Sequence, residues 1–136
     1  MRDTFRGLPA VMFYEDKDST ATNQSLKEIL FATAKEKGLL DAATVVAVAN
    51  VAPYDWFPAR NIVVSAVKDS EKAFGLPIYL DWSGELTRPP WSLKSESSSV
   101  VVLDKKGAVR WSKHGKLTAD EIRDVCNLVE SLIGPR

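Results

Sequence analysis

The sequence is poor in cysteine: of its 136 residues only Cys126 carries a thiol. A single cysteine cannot close an internal disulfide, and it cannot supply a metal site built from several cysteines. The chain therefore fits the cytoplasm as written. It fits the periplasm equally well if a leader peptide has been removed, provided that the exported protein needs no disulfide bridge.

Long apolar runs and an excess of one charge are also missing. Residues 1–9 lack the apolar stretch of about 7–15 residues that a secretory leader needs. No segment approaches the roughly 20 apolar residues of a membrane span. Eighteen basic residues balance eighteen acidic ones. This balance argues against a nucleic-acid binder, which needs clustered cations facing phosphate, and against adhesion to an anionic membrane surface.

What the sequence does contain is an alternation of apolar strands with amphipathic helices. The first two apolar runs are typical of strands that are buried on both faces. The order β-α-β-α-β-β-β-α predicts right-handed parallel crossovers among the first three strands and an antiparallel final pair. The predicted strands are residues 10–14, 44–52, 78–80, 100–103 and 108–112, and residues 83–98 are predicted to form a long loop.

The first helix is predicted over residues 26–37, where apolar side chains recur at helical spacing. Ser25 and Glu28 match a capping box, in which a hydroxyl and a carboxylate satisfy free backbone N–H groups at a helix start. Asp18 or Ser19 could instead cap an earlier start.

Two further helices are predicted in the second half of the chain. One begins near Pro58, since proline suits the first helical turn. The other follows Thr118 and Glu121, which match a second capping box. In the helix after Pro58, the side chains predicted to face the core are Ile62, Val63, Ala66, Val67, Ala73 and Phe74.

Four segments carry a resemblance to a known superfamily: AVMFYEDKDS, TVVAVANV, FGLPIYLDW and SSSVVVLDKKGAVRW. Their order resembles the thioredoxin fold in its peroxiredoxin and TlpA-like form. Residues 14–19 and 98–107 resemble most the uncharacterised YtfJ-like bacterial proteins. The resemblance implies one α/β domain over residues 1–136, a three-layer α/β/α sandwich. Its mixed five-stranded sheet would have the order 3-2-1-4-5, with a C-terminal hairpin and helix.

The residues that carry redox chemistry in thioredoxins have no counterpart here. Their Cys-x-x-Cys position corresponds by resemblance to residues 18–21, Asp-Ser-Thr-Ala. Disulfide exchange requires a thiolate, and a serine or threonine hydroxyl cannot replace it at neutral pH. Ser98 falls where relatives have the cis-proline that shapes substrate docking. The resemblance therefore implies a redox-inactive domain that binds rather than catalyses thiol exchange.

Cys126 and the single histidine offer weaker alternatives. Cys126 falls within an apolar helical stripe, which predicts core packing, because a reactive thiol needs exposure and basic neighbours. Redox activity through an intermolecular disulfide of Cys126 stays open as a third hypothesis. His114 is predicted to be a solvated loop residue after the fifth strand, because a general base needs a positioned partner.

Carboxylates after the first and third strands suggest an alternative from another class. The carboxyl ends of parallel strands lie at the same edge of a sheet. Acidic side chains gathered there could bind Ca²⁺ or Mg²⁺, or they could act in an enzyme whose chemistry does not use a thiol. The simpler interpretation is solvated turns with a helix cap, so no metal or cofactor is assigned. The acids are Glu15, Asp16, Asp18, Asp81 and Glu85.

Aromatic side chains gather at the same predicted edge. Tryptophan, tyrosine and arginine are enriched in binding hot spots, so we expect a surface for a protein, peptide or small ligand. The alternative is that these rings bury the long loop against the sheet. Association of two copies is left open. The predicted binding residues are Asp16, Asp18, Ser19, Tyr54, Trp56, Arg60, Trp82, Arg88, Trp91 and Ser98.

Overall fold

The computed structural model describes residues 7–16, 19–38, 42–74, 78–89, 91–94 and 97–134. Within them, strands and helices alternate as the sequence predicts. Two short 3-10 helices, Ala52–Tyr54 and Glu85–Thr87, lie in the connections after the second and third strands. The main elements are β1 (Ala10–Glu15), α1 (Gln24–Lys37), β2 (Thr44–Asn50), α2 (Ala59–Phe74), β3 (Ile78–Asp81), β4 (Ser99–Leu103), β5 (Val109–His114) and α3 (Ala119–Ile133).

The five strands form one mixed sheet in the order β3-β2-β1-β4-β5. β1 pairs in parallel with β2 and antiparallel with β4, so Tyr14 lies between Val48 and Ser99. All six residues of β1 are buried, as expected for a central strand that is covered on both faces. The predicted fold class and strand order are confirmed.

Alternation along β1 sends side chains into two separate cores. Val11 and Phe13 pack with apolar residues of α1 and α3. Met12 and Tyr14 pack on the other face, against Leu86 and other residues of the connection from β3 to β4. That connection, predicted as a plain loop, contains the second 3-10 helix and covers the sheet as the third layer.

One predicted capping box forms and the other does not. The Thr118 hydroxyl accepts from the Glu121 backbone N–H and the Glu121 carboxylate accepts from the Thr118 N–H, as predicted. The Ser25–Glu28 box is wrong, because α1 begins at Gln24 and places Ser25 inside the helix. Asn23 occupies the N-cap position without a side-chain cap, because its side chain bonds elsewhere in the fold.

The structure also corrects the predicted ends of β2 and β5 and the side of α2 that was predicted to face the core. β2 ends at Asn50, because Pro53 starts the turn of the 3-10 helix. β5 extends to His114, because the ladder with β4 continues to the Ser99–His114 pair. In α2, Ile62 and Ala66 are exposed rather than core-facing. No helix in the described ranges is both long and apolar enough to cross a membrane.

Candidate functional site

A buried polar cluster lies where the end of β1 meets the residue before β4 and the first turn of α1. Because β1 and β4 are neighbours, Ser98, just before β4, lies beside Glu15, the last residue of β1. The Ser98 hydroxyl donates to Glu15 Oε2 over 2.6 Å. The Lys27 ammonium on α1 donates to Glu15 Oε1 over 2.7 Å and to the Thr20 carbonyl over 2.8 Å. Both carboxylate oxygens of Glu15 are therefore bonded inside the protein.

Asn23 connects this cluster to the segment that leads into α3. Its Nδ2 donates to Ser98 Oγ over 3.0 Å and to the Gly115 carbonyl over 3.1 Å. Its Oδ1 accepts from the Leu117 backbone N–H over 2.9 Å. One amide near the N-terminal end of the chain thus bonds three polar groups of residues 98–117.

The Glu15 and Ser98 side chains of the cluster are buried, and its hydrogen bonds are complete, while Lys27 stays partly exposed. Ser98 is 1% exposed and Glu15 is 7% exposed. In the part of the chain that the structure describes, every buried side-chain nitrogen and oxygen atom has a hydrogen-bond partner. Two predicted binding residues, Ser19 and Ser98, thus lie in the interior, where Ser19 Oγ accepts from the Asp16 N–H over 3.0 Å. Asp18 lies outside the described residues.

The carboxylates that suggested a cation site lie on opposite faces of the sheet. Glu15 points toward α1, whereas Asp81 Oδ2 accepts from the Tyr14 hydroxyl over 2.7 Å on the other face. The Glu85 and Leu86 backbone N–H groups also donate to the Asp81 carboxylate. Burial, together with the bond to Asp81, raises the pKa of Tyr14. Among the described residues, no group of three or more histidine, cysteine, aspartate or glutamate side chains could hold a metal ion.

Aromatic and basic side chains line the carboxyl edge of the parallel strands. The Arg60 guanidinium stacks on the Trp82 ring, 4.3 Å from its centroid, and pairs with the Asp55 carboxylate. Gly84, in the connection after β3, lies against Ala52, in the connection after β2, so the two connections are in contact. We call this surface the aromatic edge; it comprises Trp56, Phe57, Arg60 and Trp82.

Exposure differs sharply among the predicted aromatic residues. Trp56 is 59% exposed. Tyr54 and Trp82 are half-buried, and Trp91 packs against the core. These three rings therefore agree in part with the alternative interpretation, in which aromatic rings bury the long loop against the sheet. Arg88 and Arg60 are exposed and Asp16 is half-buried.

Two exposed apolar residues were missed as site residues. Phe57, two residues before α2, is 83% exposed, and Ile62, in the first turn of α2, is 65% exposed. Phe57 precedes Pro58 in a run of aromatic residues, a signal of a turn rather than a strand or helix interior. Ile62 gave no such signal, because its spacing suits a core-facing position equally well.

Neither Cys126 nor His114 joins this surface. Cys126 packs against the core between α1 and α3, and burial raises the pKa of its thiol. The nearby Glu130 carboxylate raises this pKa further, against the opposite effect of Lys37. His114 is not a solvated loop residue, since its Nδ1 lies 2.8 Å from Ser99 Oγ on the neighbouring strand.

Known structures share this architecture. The exposed lipoprotein thioredoxin Etrx1 of Streptococcus pneumoniae superposes with a TM-score of 0.63 at 18% identity, covering 93% of this chain and 89% of that one. A DsbF homologue from Corynebacterium diphtheriae gives a TM-score of 0.64 at 18% identity, covering 96% and 75%. At these identities the similarity shows the thioredoxin-like fold alone.

Sequence comparison is more specific. The uncharacterised protein YtfJ of Escherichia coli (strain K12) is 35% identical over 80 residues, which are 58% of this chain and 44% of that protein. The match thus spans less than half of the length of this relative. A family model covers residues 17–132, and the chain belongs to that family, described as "Bacterial protein of unknown function (YtfJ_HI0045)".

Proposed function

We propose that this chain is a redox-inactive thioredoxin-fold domain that binds a protein or peptide at the aromatic edge. The observation that carries the proposal is the exposure of Trp56 and Phe57, two large rings that water surrounds at the edge where open α/β sheets place their sites. Exposed aromatic rings beside arginine are typical of protein-binding surfaces.

Internal bonds of the polar cluster support a loss of thiol chemistry. Thiol exchange at this position needs an accessible thiolate near the start of α1. The structure instead has Glu15, Lys27 and Ser98 bonded to one another there. A substrate disulfide could not approach Ser98 without breaking bonds to Glu15 and Asn23.

The thiol of Cys126 is poorly placed to carry out thiol exchange in place of the missing cysteines. Cys126 lies near Lys37, the last residue of α1, close enough for their charges to interact. The first turn of α1 lies beside Glu15 at the end of β1, and the helix has 14 residues, so its far end lies about 20 Å from there at 1.5 Å per residue. A raised thiol pKa also reduces the fraction of thiolate at neutral pH.

A photo-crosslinking scan in the organism that makes the protein tests the binding surface. Benzoylphenylalanine replaces Arg88, an exposed residue in the connection that follows Trp82 of the aromatic edge, and it replaces Phe31 on α1 and Val109 on β5 as controls that are also exposed. We expect a defined adduct with another polypeptide from position 88 and none from the two controls. Equal adducts from all three positions, or none from position 88, would contradict binding at this edge.

Insulin reduction by dithiothreitol tests the absence of thiol exchange. We expect the purified chain to leave the rate unchanged, and the Cys126→Ser variant to behave identically. Catalysis that disappears in Cys126→Ser would show that the domain is a redox protein after all.

A further inference from the structure

The buried residue Asp81 ends β3 and directly precedes Trp82 of the aromatic edge. We propose that Asp81 is a positioning residue, which holds Trp82 in place so that the ring can carry the guanidinium of Arg60. This inference rests on the proposed function, because it concerns how the surface that binds the partner keeps one arrangement. Asp81 is 8% exposed, so it acts through Trp82 and not through contact with the partner.

The side chain of Asp81 closes the loop that begins with Trp82. Its Oδ1 accepts from the Glu85 N–H over 2.9 Å, and its Oδ2 accepts from the Leu86 N–H over 3.1 Å. Both ends of the loop formed by residues 82–84 are therefore tied to one residue, the start by a peptide bond and the end by side-chain hydrogen bonds. Aspartate stabilises turns through such bonds to the backbone that follows it.

The sheet in turn holds Asp81. Its Oδ2 also accepts from the Tyr14 hydroxyl over 2.7 Å, and its backbone carbonyl accepts from the Val51 N–H over 3.3 Å. Asp81 is thus bonded to the central strand β1 and to the residue that follows β2. A buried carboxylate resists displacement, because leaving it without its donors would cost free energy. The loop of residues 82–84 therefore starts from a fixed point.

Arg60 is placed by separate contacts at the start of α2. Its N–H donates to the Trp56 carbonyl over 2.9 Å, and its guanidinium pairs with the Asp55 carboxylate. Neither contact involves the connection after β3. The guanidinium lies 4.3 Å from the centroid of the Trp82 ring, so the stack joins two parts of the surface that are held independently. The stack therefore requires the position of Trp82 that Asp81 sets.

The stack orders part of the aromatic edge before a partner arrives. A guanidinium on the face of an indole ring is attracted to the π-system, which restricts both side chains. Without the bonds of Asp81, the loop gains conformations, and Trp82 and Arg60 must be ordered again on binding. The conformational entropy of two such side chains should weaken binding about 10-fold.

Nuclear magnetic resonance of the purified chain tests the positioning without a partner. The ring current of Trp82 should move the Arg60 side-chain signals upfield, and nuclear Overhauser effects should join the two side chains. Asp81→Ala should remove the shift and the Overhauser effects. Asp81→Asn should weaken both, because an amide offers one oxygen instead of two to the Glu85 and Leu86 N–H groups. The Asn variant decides the test if Asp81→Ala does not fold.

Two control variants separate positioning from a general loss of stability. Asp104→Ala removes another carboxylate that accepts two backbone N–H groups, in the turn after β4 at the opposite end of β1. Tyr14→Phe removes a bond in the same buried pocket but keeps both bonds that close the loop. Both controls should retain the shifted Arg60 signals. Signals unchanged in Asp81→Asn, or lost equally in either control, would overturn the positioning role.

Crosslinking from position 57 links the stack to binding. Phe57 lies on the α2 side of the aromatic edge, outside the loop that Asp81 closes. With benzoylphenylalanine at position 57, Asp81→Ala should lower the yield of the adduct about 10-fold relative to Asp104→Ala. An undiminished yield, with the stack lost, would show that binding does not need Asp81. If the unsubstituted surface gives no adduct from position 57 or 88, the proposed function fails, while the resonance signals still report separately on Asp81 and the stack.

Discussion

The hydroxyl of Ser98 donates to the carboxylate of Glu15 over 2.6 Å, although the two residues are 83 positions apart. Ser98 lies directly before β4, and Glu15 ends the neighbouring strand β1. The bond therefore links the ends of two central strands through buried side chains, and Lys27 adds a salt bridge to Glu15.

Breaking the Glu15–Lys27 pair should destabilise the fold more than breaking an exposed pair. Lys27→Met leaves the buried Glu15 without its cation, and we expect a loss of about 1–3 kcal/mol, between the values for exposed and buried pairs. Lys37→Met, which removes the exposed pair with Glu130, should cost clearly less, because solvent screens that pair. Urea unfolding measures both. Adding Glu15→Gln to Lys27→Met should recover part of the loss, and equal losses in Lys27→Met and Lys37→Met would refute the buried role.

Removing the Tyr14 hydroxyl should cost less than removing the carboxylate that it meets. Tyr14→Phe deletes one bond to Asp81, worth about 1.5–3 kcal/mol for a charged acceptor. Asp81→Ala also leaves the Glu85 and Leu86 N–H groups without their acceptor, so its loss should be larger. Thermal unfolding followed by circular dichroism ranks the two. The opposite ranking would mean that Asp81 does not organise the connection after β3.

Alkylation of Cys126 should show a raised thiol pKa. Burial favours the neutral thiol, so the iodoacetamide rate of the folded chain should rise with pH through a midpoint above the ordinary value of about 8.5. The same chain unfolded in guanidinium chloride should give the ordinary midpoint. Because the folded pKa is the higher one, this group's contribution to stability is present below about pH 8.5 and declines as the pH rises above it. A folded midpoint at or below the unfolded one would restore Cys126 as a candidate reactive thiol.

A pair of alanine substitutions separates the real capping box from the apparent one. Thr118→Ala removes the acceptor for the Glu121 N–H, and we expect a loss of about 1 kcal/mol. Ser25→Ala changes an exposed residue inside α1, where alanine is the better helix former, so stability should stay equal or rise slightly. Melting temperatures compare the two variants. A larger loss in Ser25→Ala would mean that this hydroxyl caps α1.

Prediction from sequence succeeded where a local pattern has one physical meaning. The apolar run of β1 and the Thr118–Glu121 box each gave the right element, because burial on both faces and helix capping leave local signatures. The Ser25–Glu28 pair failed since the same residue types also occur inside helices. Ile62 failed because helical spacing shows that residues share a face without showing which face meets the sheet.

The sequence by itself determined the strand order, the helices and the lack of a dithiol, since these follow from periodicity, from resemblance and from the presence of a single cysteine. Only the tertiary structure decided which polar residues are buried and which aromatic rings protrude. Glu15 and Ser98 meet because β1 and β4 are neighbours, and Phe57, in the connection between β2 and α2, is exposed where the fold covers other aromatic rings. Such contacts join residues far apart in the chain, so no local pattern encodes them.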